Sequence, residues 1–211
     1  MSKPEALIFD LDGTLIQTGH MLEEAFIATF GEHAIELEPE RFRSWISSES
    51  RSLSSLHPQG DSIAGLLEEV DKHYLHNISK HGVEWLEGVV EEIQKLGELL
   101  PLAVFTNAPR SYVQAASQWL PIQTFFQHIV TFDDVAPNGK PQPDGILLCC
   151  QSLSVKPVRC IYVGDHVLDM MTAKAAGSTA VLIPSDVTNA SAREKADRVY
   201  SNISEIYKRL L

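Results

Sequence analysis

An α/β fold with a doubly wound parallel sheet, carrying a small helical domain inserted after its first strand, is the architecture this sequence predicts. Three patterns carry that expectation. The apolar run Ala6-Leu7-Ile8-Phe9 ends in the sharp Asp10-Leu11-Asp12-Gly13-Thr14 turn, as a strand buried on both faces does. From residue 85 onward, apolar strand-like runs alternate with amphipathic helical stretches, the signature of βα crossovers. Between these two regions, residues 16–85 show helical periodicity and no convincing strand. The expected division is therefore an α/β core of residues 1–15 and 86–211 and a helical domain of residues 16–85.

Within the insertion, Leu22, Ala25, Phe26 and Phe30 recur at helical spacing, as do Phe42, Trp45 and Ile46, and then Ile63, Leu66, Leu67, Val70 and Tyr74. Ser47 to Gly60, rich in Ser with Pro58 and Gly60, reads as a loop or short helix. The core resumes with a helix marked by Val89, Val90, Ile93 and Leu96 before Gly97, followed by a strand at Leu102–Phe105. Tyr112, Ala115, Ala116 and Trp119 outline the next helix, ahead of Pro121. Further strands are expected at Ile129–Thr131, Ile161–Val163, Ala180–Ile183 and, more weakly, Arg198–Tyr200. Right-handed crossovers place all the strand carboxyl ends on one edge, which is where ligands bind in open α/β sheets.

The composition narrows the function. At 211 residues the chain can bury one sizeable core, and 44% apolar with 21% charged residues is ordinary for a soluble protein. No stretch approaches a membrane span, and the start Met1-Ser2-Lys3-Pro4-Glu5 leads straight into a strand rather than into a signal peptide. A net charge of −11 with scattered basic residues argues against a nucleic-acid surface, and it means that an anionic ligand needs local attraction. Three cysteines, two of them adjacent at Cys149 and Cys150, make neither a metal spacing nor a disulfide framework, so a reducing cytoplasm is expected. The eight histidines lack ligand spacing and read as surface residues.

Chemistry enters with the two carboxylates at the end of the first strand. Asp10 and Asp12 repel each other unless a cation or a proton lies between them, and a hard, oxygen-seeking ion such as Mg²⁺ answers that need. Three further sites fall where strands end or helices begin: Thr106-Asn107 after Phe105, Lys140 in Gly139-Lys140-Pro141-Gln142-Pro143-Asp144, and Asp165 with Asp169 after Val163. Each has a plain structural alternative, as a helix cap, a solvated lysine or the acids of a helix start. Together they fit one chemistry: a carboxylate nucleophile, a metal that screens it, a hydroxyl and amides that hold phosphate oxygens, and a lysine that offsets negative charge. The chain contains no Gly-x-Ser-x-Gly elbow, no Walker loop and no Gly-x-Gly-x-x-Gly turn.

Along essentially its whole length the sequence resembles the haloacid dehalogenase superfamily, in particular the phosphoglycolate phosphatase-like branch with a helical cap after the first strand. The resemblance rests on Phe9-Asp10-Leu11-Asp12-Gly13-Thr14-Leu15, Phe105-Thr106-Asn107, Lys140-Pro141-Gln142-Pro143-Asp144, and Val163-Gly164-Asp165 followed by Asp169 and Ala173 to Gly177. It implies a Rossmann-like core and a Mg²⁺-dependent phosphatase that acts on a small phosphorylated metabolite, as a monomer or homodimer. It further implies that Asp10 is the nucleophile and Asp12 the general acid and base. The metal would be held by Asp10, the Asp12 main-chain carbonyl and Asp165, with Asp169 supporting it. Thr106, the Asn107 amide and Lys140 would bind the phosphoryl group. A sugar phosphomutase shares all four motifs, and a catalytically idle binding subunit is the alternative of a different class. A dehalogenase proper lacks the second acid, Asp12.

Two positions depart from the branch. His166 stands where a small Ser, Thr or Asn is usual; it either tunes Asp165, narrows the site or faces solvent, and solvent is the expectation. Glu87-Gly88 replaces Pro-Gly at the return to the core, which implies a looser hinge. In the insertion, with twelve acidic residues against five basic ones, Arg51 is the candidate for substrate specificity, and its alternative is a surface pair with Glu49.

Overall fold

The computed structural model describes residues 3–57 and 63–210. Strand β1 (Ala6–Phe9) is buried at every position, as its unbroken apolar run requires. β2 (Ile16–Gln17) and β3 (Glu84–Trp85) pair antiparallel with each other. β4 (Leu102–Phe105), β5 (His128–Val130), β6 (Cys160–Gly164), β7 (Thr179–Leu182) and β8 (Arg198–Val199) join β1 in a parallel sheet of order β5-β4-β1-β6-β7-β8.

Alternation along the central strands assigns the two faces of this sheet. Leu7, Phe9, Leu102, Val104, Ile161, Val163 and Val181 lie in one apolar cluster, which helices Val89–Gly97 and Arg110–Ala116 cover through Ile93, Leu96, Tyr112 and Val113. Ala6, Ile8, Ala103, Phe105, Tyr162, Ala180 and Leu182 lie in the other, under helices Asp144–Ser152 and Val167–Ala176 through Ile146, Cys149, Met170 and Ala173. Each fully buried side chain of this kind contributes about 1.5–3 kcal/mol, so a sheet filled on both faces is a firm base for its edge. Cys150 and Cys160 meet here as free thiols 3.3 Å apart, a proximity their spacing does not reveal.

The strands at Ile16–Gln17 and Glu84–Trp85 correct the reading of residues 16–85 as free of strand. Two residues are too few to show alternation, and their pairing comes from the chain leaving and re-entering the core side by side. Between them run helices Gly19–Glu32, Pro39–Ile46, Leu53–Leu56 and Leu67–His81. Phe26, Phe30, Phe42, Trp45, Leu56, Ile63 and Val70 form a third cluster, separate from the sheet. Its rings touch closely: Phe26 has its centroid 5.2 Å from Phe42 and 5.3 Å from Trp45. Pro58 and Gly60, part of the expected Ser47–Gly60 loop, lie outside the described residues.

Two smaller departures, at Trp119 and Thr131, have local causes. Trp119 falls beyond the helix Arg110–Ala116 and is half exposed, with its ring against Gly82, whose φ is +76°. Thr131 caps the helix Phe132–Val135 in a reciprocal capping box with Asp134, so strand β5 ends at Val130. Gly88 takes φ +75° ahead of helix Val89–Gly97, while the Leu86 N–H donates to the Leu15 carbonyl at 2.9 Å.

Candidate active site

Strand register brings three chain segments to one level of the sheet edge. Phe9 pairs with Val104 of β4 and with Val163 of β6, so Asp10 emerges level with Phe105 and Gly164, one residue short of Thr106 and Asp165. The Asp10 N–H is still held by the Val163 carbonyl at 2.8 Å, and the side chain is buried. Gly13, at φ +80°, turns the chain so closely over Asp165 that a Cβ there would collide with its carboxylate.

Lys140 reaches this point from the loop before helix Asp144–Ser152. Its side chain is 6% exposed, and its ammonium pairs with Asp10 and, at 2.7 Å, with Asp169, while the ring centroids of Phe105 and Tyr162 each lie 5.4 Å away. Asn107 fixes the backbone of that lysine. Its Oδ1 accepts the Lys140 N–H at 2.8 Å and its Nδ2 donates to the Lys140 carbonyl at 3.4 Å. The Asn107 side chain is therefore a clamp on the lysine loop, a function not visible in its sequence neighbours.

Asp165 and Asp169 complete the cluster. Asp165 accepts from Thr14 at 3.2 Å and from Ser185, while Thr188 donates to its carbonyl. Asp169, at the third position of helix Val167–Ala176, accepts the His166 N–H at 2.9 Å, Lys140 at 2.7 Å and Tyr162 at 3.4 Å. Oxygens of Asp10, Asp165 and Asp169 all lie within 4.8 Å of one another.

Charge in this cluster is unbalanced, and the acids register it. Burial pushes Asp10 well above the usual carboxylate range; Lys140 pulls it down, while Asp169, Asp165 and Asp12 push it further up. Burial, then Asp169, push Asp165 up to about 7. Asp169 goes the other way: burial raises it, but Lys140 and His166 hold it below its ordinary value. Lys140 is opposed by burial and raised by Asp10 and Asp169. Three buried carboxylates facing one ammonium make a hard-oxygen donor set with surplus negative charge, which fits a divalent ion such as Mg²⁺. Both Asp169 oxygens already accept protein donors, which suits it to support such an ion rather than to ligate it directly.

Asp12 has different partners from this group. Its Oδ1 accepts from Thr18 at 2.6 Å and from the Tyr112 hydroxyl, and its Oδ2 faces the Thr106 hydroxyl at 3.4 Å. Burial raises its pKa against the pull of Thr18, Tyr112, Lys140 and Thr106. Tyr112 reads in the sequence as one apolar position of a helix; its buried ring fits that reading, but the spacing is silent about the hydroxyl.

His166 corrects an expectation. It does not face solvent: it is 5% exposed and caps helix Val167–Ala176, with Nδ1 accepting the Leu168 N–H at 3.1 Å. The slot after Asp165 is a helix N-cap, and the ring is enclosed there because the segment carrying Ile46 and Arg51 lies over it. Burial first, then the Arg51 charge, lower its pKa to about 4. Arg51 itself keeps an exposed surface while feeling the charges of Asp169, Asp10 and Asp165; partial desolvation by the surrounding protein holds its pKa below the usual value. Glu49 does not hold it, being paired instead with Lys195 at 3.2 Å and with Ser191. Beside that pair, Asn189 donates from Nδ2 to the Ser47 carbonyl at 2.7 Å while its Oδ1 caps Ala192 at 2.8 Å. The segment that carries Arg51 is thus tied to the core.

Residues 7–183 match the family described as haloacid dehalogenase-like hydrolases. The chain belongs to this haloacid dehalogenase-like hydrolase family. It is 29% identical to validoxylamine A 7'-phosphate phosphatase of Streptomyces hygroscopicus subsp. limoneus, with 94% of each chain covered. It is 27% identical to phosphoglycolate phosphatase of Escherichia coli O157:H7, covering 98% of this chain and 93% of that one. The crystal structure of CbbY from Rhodobacter sphaeroides in complex with phosphate superposes with a TM-score of 0.80 at 25% identity, over 96% of each chain. As a haloacid dehalogenase-like hydrolase with phosphatases among its relatives, the chain is a phosphoric monoester hydrolase. No helix among the described residues is long and apolar enough to cross a membrane.

Proposed function

We propose that this hydrolase is a Mg²⁺-dependent phosphatase of a small phosphorylated metabolite, phosphoglycolate-like or a sugar phosphate, and that it works through a phosphoryl group carried on Asp10. The observation that carries the reading is the division of labour between the two carboxylates of one turn. Asp10 lies against the Lys140 ammonium, while Asp12 is turned toward hydroxyls, with Oδ2 beside Thr106. Paired acids in unlike surroundings suit unlike roles, one as nucleophile and one as proton donor.

Asp10, Asp165 and the Asp12 main-chain carbonyl would hold Mg²⁺, supported by Asp169, and the ion supplies positive charge that keeps Asp10 ionised and offsets the phosphate. Thr106, the Asn107 amide and Lys140 orient the phosphoryl oxygens. Asp10 attacks phosphorus as the ester oxygen leaves with the proton of Asp12. Asp12 then takes a proton from the water that releases phosphate from Asp10. Residues 16–85 form the cap domain above this edge, and excluding bulk water between the two half-reactions is its task. Arg51 is the cap residue placed to read the part of the substrate remote from the phosphate. The net charge of −11 and the three buried free thiols favour a cytoplasmic enzyme, monomer or homodimer, with neither nucleic-acid nor membrane partners.

The test is phosphate release from a panel of esters, including phosphoglycolate, sugar phosphates and nucleoside monophosphates, with Mg²⁺ and with chelator. Metal-dependent release from one class, lost in Asp10→Asn, is expected. Isomerisation of a sugar phosphate without phosphate release would make it a phosphomutase, and inactivity on every ester would leave a binding subunit.

A further inference from the structure

We infer that Tyr112 is a positioning residue that fixes which oxygen of Asp12 carries the catalytic proton. The inference rests on the reading of Asp12 as the proton donor and extends it to a residue outside the four motifs.

The geometry divides the Asp12 carboxyl in two. Oδ1 receives two donors, Tyr112 Oη and Thr18 Oγ1, the latter at 2.6 Å. Oδ2 faces only the more distant Thr106 hydroxyl, at 3.4 Å, on the side where the phosphoryl group is expected. Two donors on Oδ1 stabilise negative charge there and leave it no room for a proton. The exchangeable proton therefore sits on Oδ2. In the first half-reaction it passes from Oδ2 to the ester oxygen as that P–O bond breaks and the Asp10–phosphorus bond forms. In the second, Oδ2 takes a proton from water as the water oxygen bonds to phosphorus and the Asp10–phosphorus bond breaks.

Tyr112 is itself held from both sides. Its ring is fully buried on the sheet, and Tyr74 of helix Leu67–His81 stacks on it with centroids 5.1 Å apart and planes 20° from parallel. A hydroxyl at the end of a clamped ring has little freedom, so it can hold a carboxyl orientation that a solvated donor cannot. The stack also ties this donor to the helical segment that leaves the core at Ile16 and returns at Trp85.

Tyr112→Phe keeps the ring and removes the hydroxyl. Losing a hydrogen bond to a charged group lowers kcat for an alkyl phosphate by roughly tenfold, while a nitrophenyl phosphate, whose leaving group needs no proton, loses less than about twofold, with KM unchanged for both. In an Asp12→Asn background, Tyr112→Phe has no further effect, because the residue acts only through Asp12. Equal losses on the two esters, or a second loss added in the Asp12→Asn background, would overturn the inference and make Tyr112 a packing residue. If Asp12→Asn alone fails to separate the two esters, the proton-donor reading falls, and the positioning role falls with it. Should Tyr112→Phe not fold, Thr18→Val removes the other donor to Oδ1 and is read against the same esters and the same background.

Discussion

Lys140→Met takes the ammonium out of a group of three buried carboxylates, and the charges left behind set the size of the effect. The lysine side chain is 6% exposed, and its partners Asp10 and Asp169 are 9% and 2% exposed. At the 2.7 Å separation from Asp169, Coulomb attraction amounts to about 6 kcal/mol at an effective dielectric constant of about 20, much of it offset by desolvation. Removing one partner of such a pair destabilises by about 3–5 kcal/mol, because the remaining charge stays buried and uncompensated. In a chain of 211 residues, at about 2–4 °C per kcal/mol, the thermal midpoint falls by roughly 6–20 °C. Protonation relieves the stranded carboxylates, and Asp10 and Asp165 already lie high. The deficit is therefore full near pH 8 and smaller near pH 5.5. Scanning calorimetry in chelator at both pH values measures this, with Lys140→Arg as the charge-retaining control. A fall of less than about 2 °C, or one of the same size at both pH values, would show that Lys140 does not balance buried charge.

Other perturbations test neighbouring parts of the account. Asp165, pushed up to about 7 in the folded protein, keeps a proton that the unfolded chain has lost above about pH 4, so its contribution to stability disappears as pH rises through 7. His166, held near 4, acts in the opposite sense up to about 6.5, so the window to read runs from about pH 6.5 to 8. There the midpoint in chelator falls with pH, while the increment given by Mg²⁺ grows because the ion displaces that proton; an increment independent of pH would contradict this. Arg51→Ala should raise KM for the natural ester by about ten- to a hundredfold and spare a generic aryl phosphate; an unchanged ratio between the two would remove Arg51 from substrate recognition. Asn189→Asp keeps the cap acceptor for Ala192 but replaces the donor to the Ser47 carbonyl with a negative charge. Hydrogen exchange around residues 46–56 should then rise, whereas unaltered exchange would mean that this contact does not hold the segment.

The parts of the fold that were legible in the sequence are those set by local pattern. The buried run Ala6–Phe9 and the βα alternation after residue 85 announce the parallel sheet, since burial on both faces leaves no polar positions to interrupt a strand. The pairing of Ile16–Gln17 with Glu84–Trp85 was hidden, because it depends on two distant segments meeting. The same divide runs through the site. Asp10, Lys140, Asp165 and Asp169 come together because they follow strand ends or precede helices, positions that topology collects on one edge. Tyr112, Ser185, Asn189 and the Asn107 clamp were not legible, for each acts through a side-chain contact across the fold. The burial of His166 is illegible for a related reason: its own neighbours suggest an exposed turn, and the cover over it comes from a segment more than a hundred residues away in sequence.

The most direct measurement is a search for phosphate on the enzyme itself. Acid quenching during turnover of a good ester with Mg²⁺, followed by peptide mass analysis, should find a phosphoryl group on the peptide that contains Asp10, absent in Asp10→Asn and absent in chelator. A chain that turns over its substrate with no phosphoryl group on that peptide, or with one on another residue, would contradict the account.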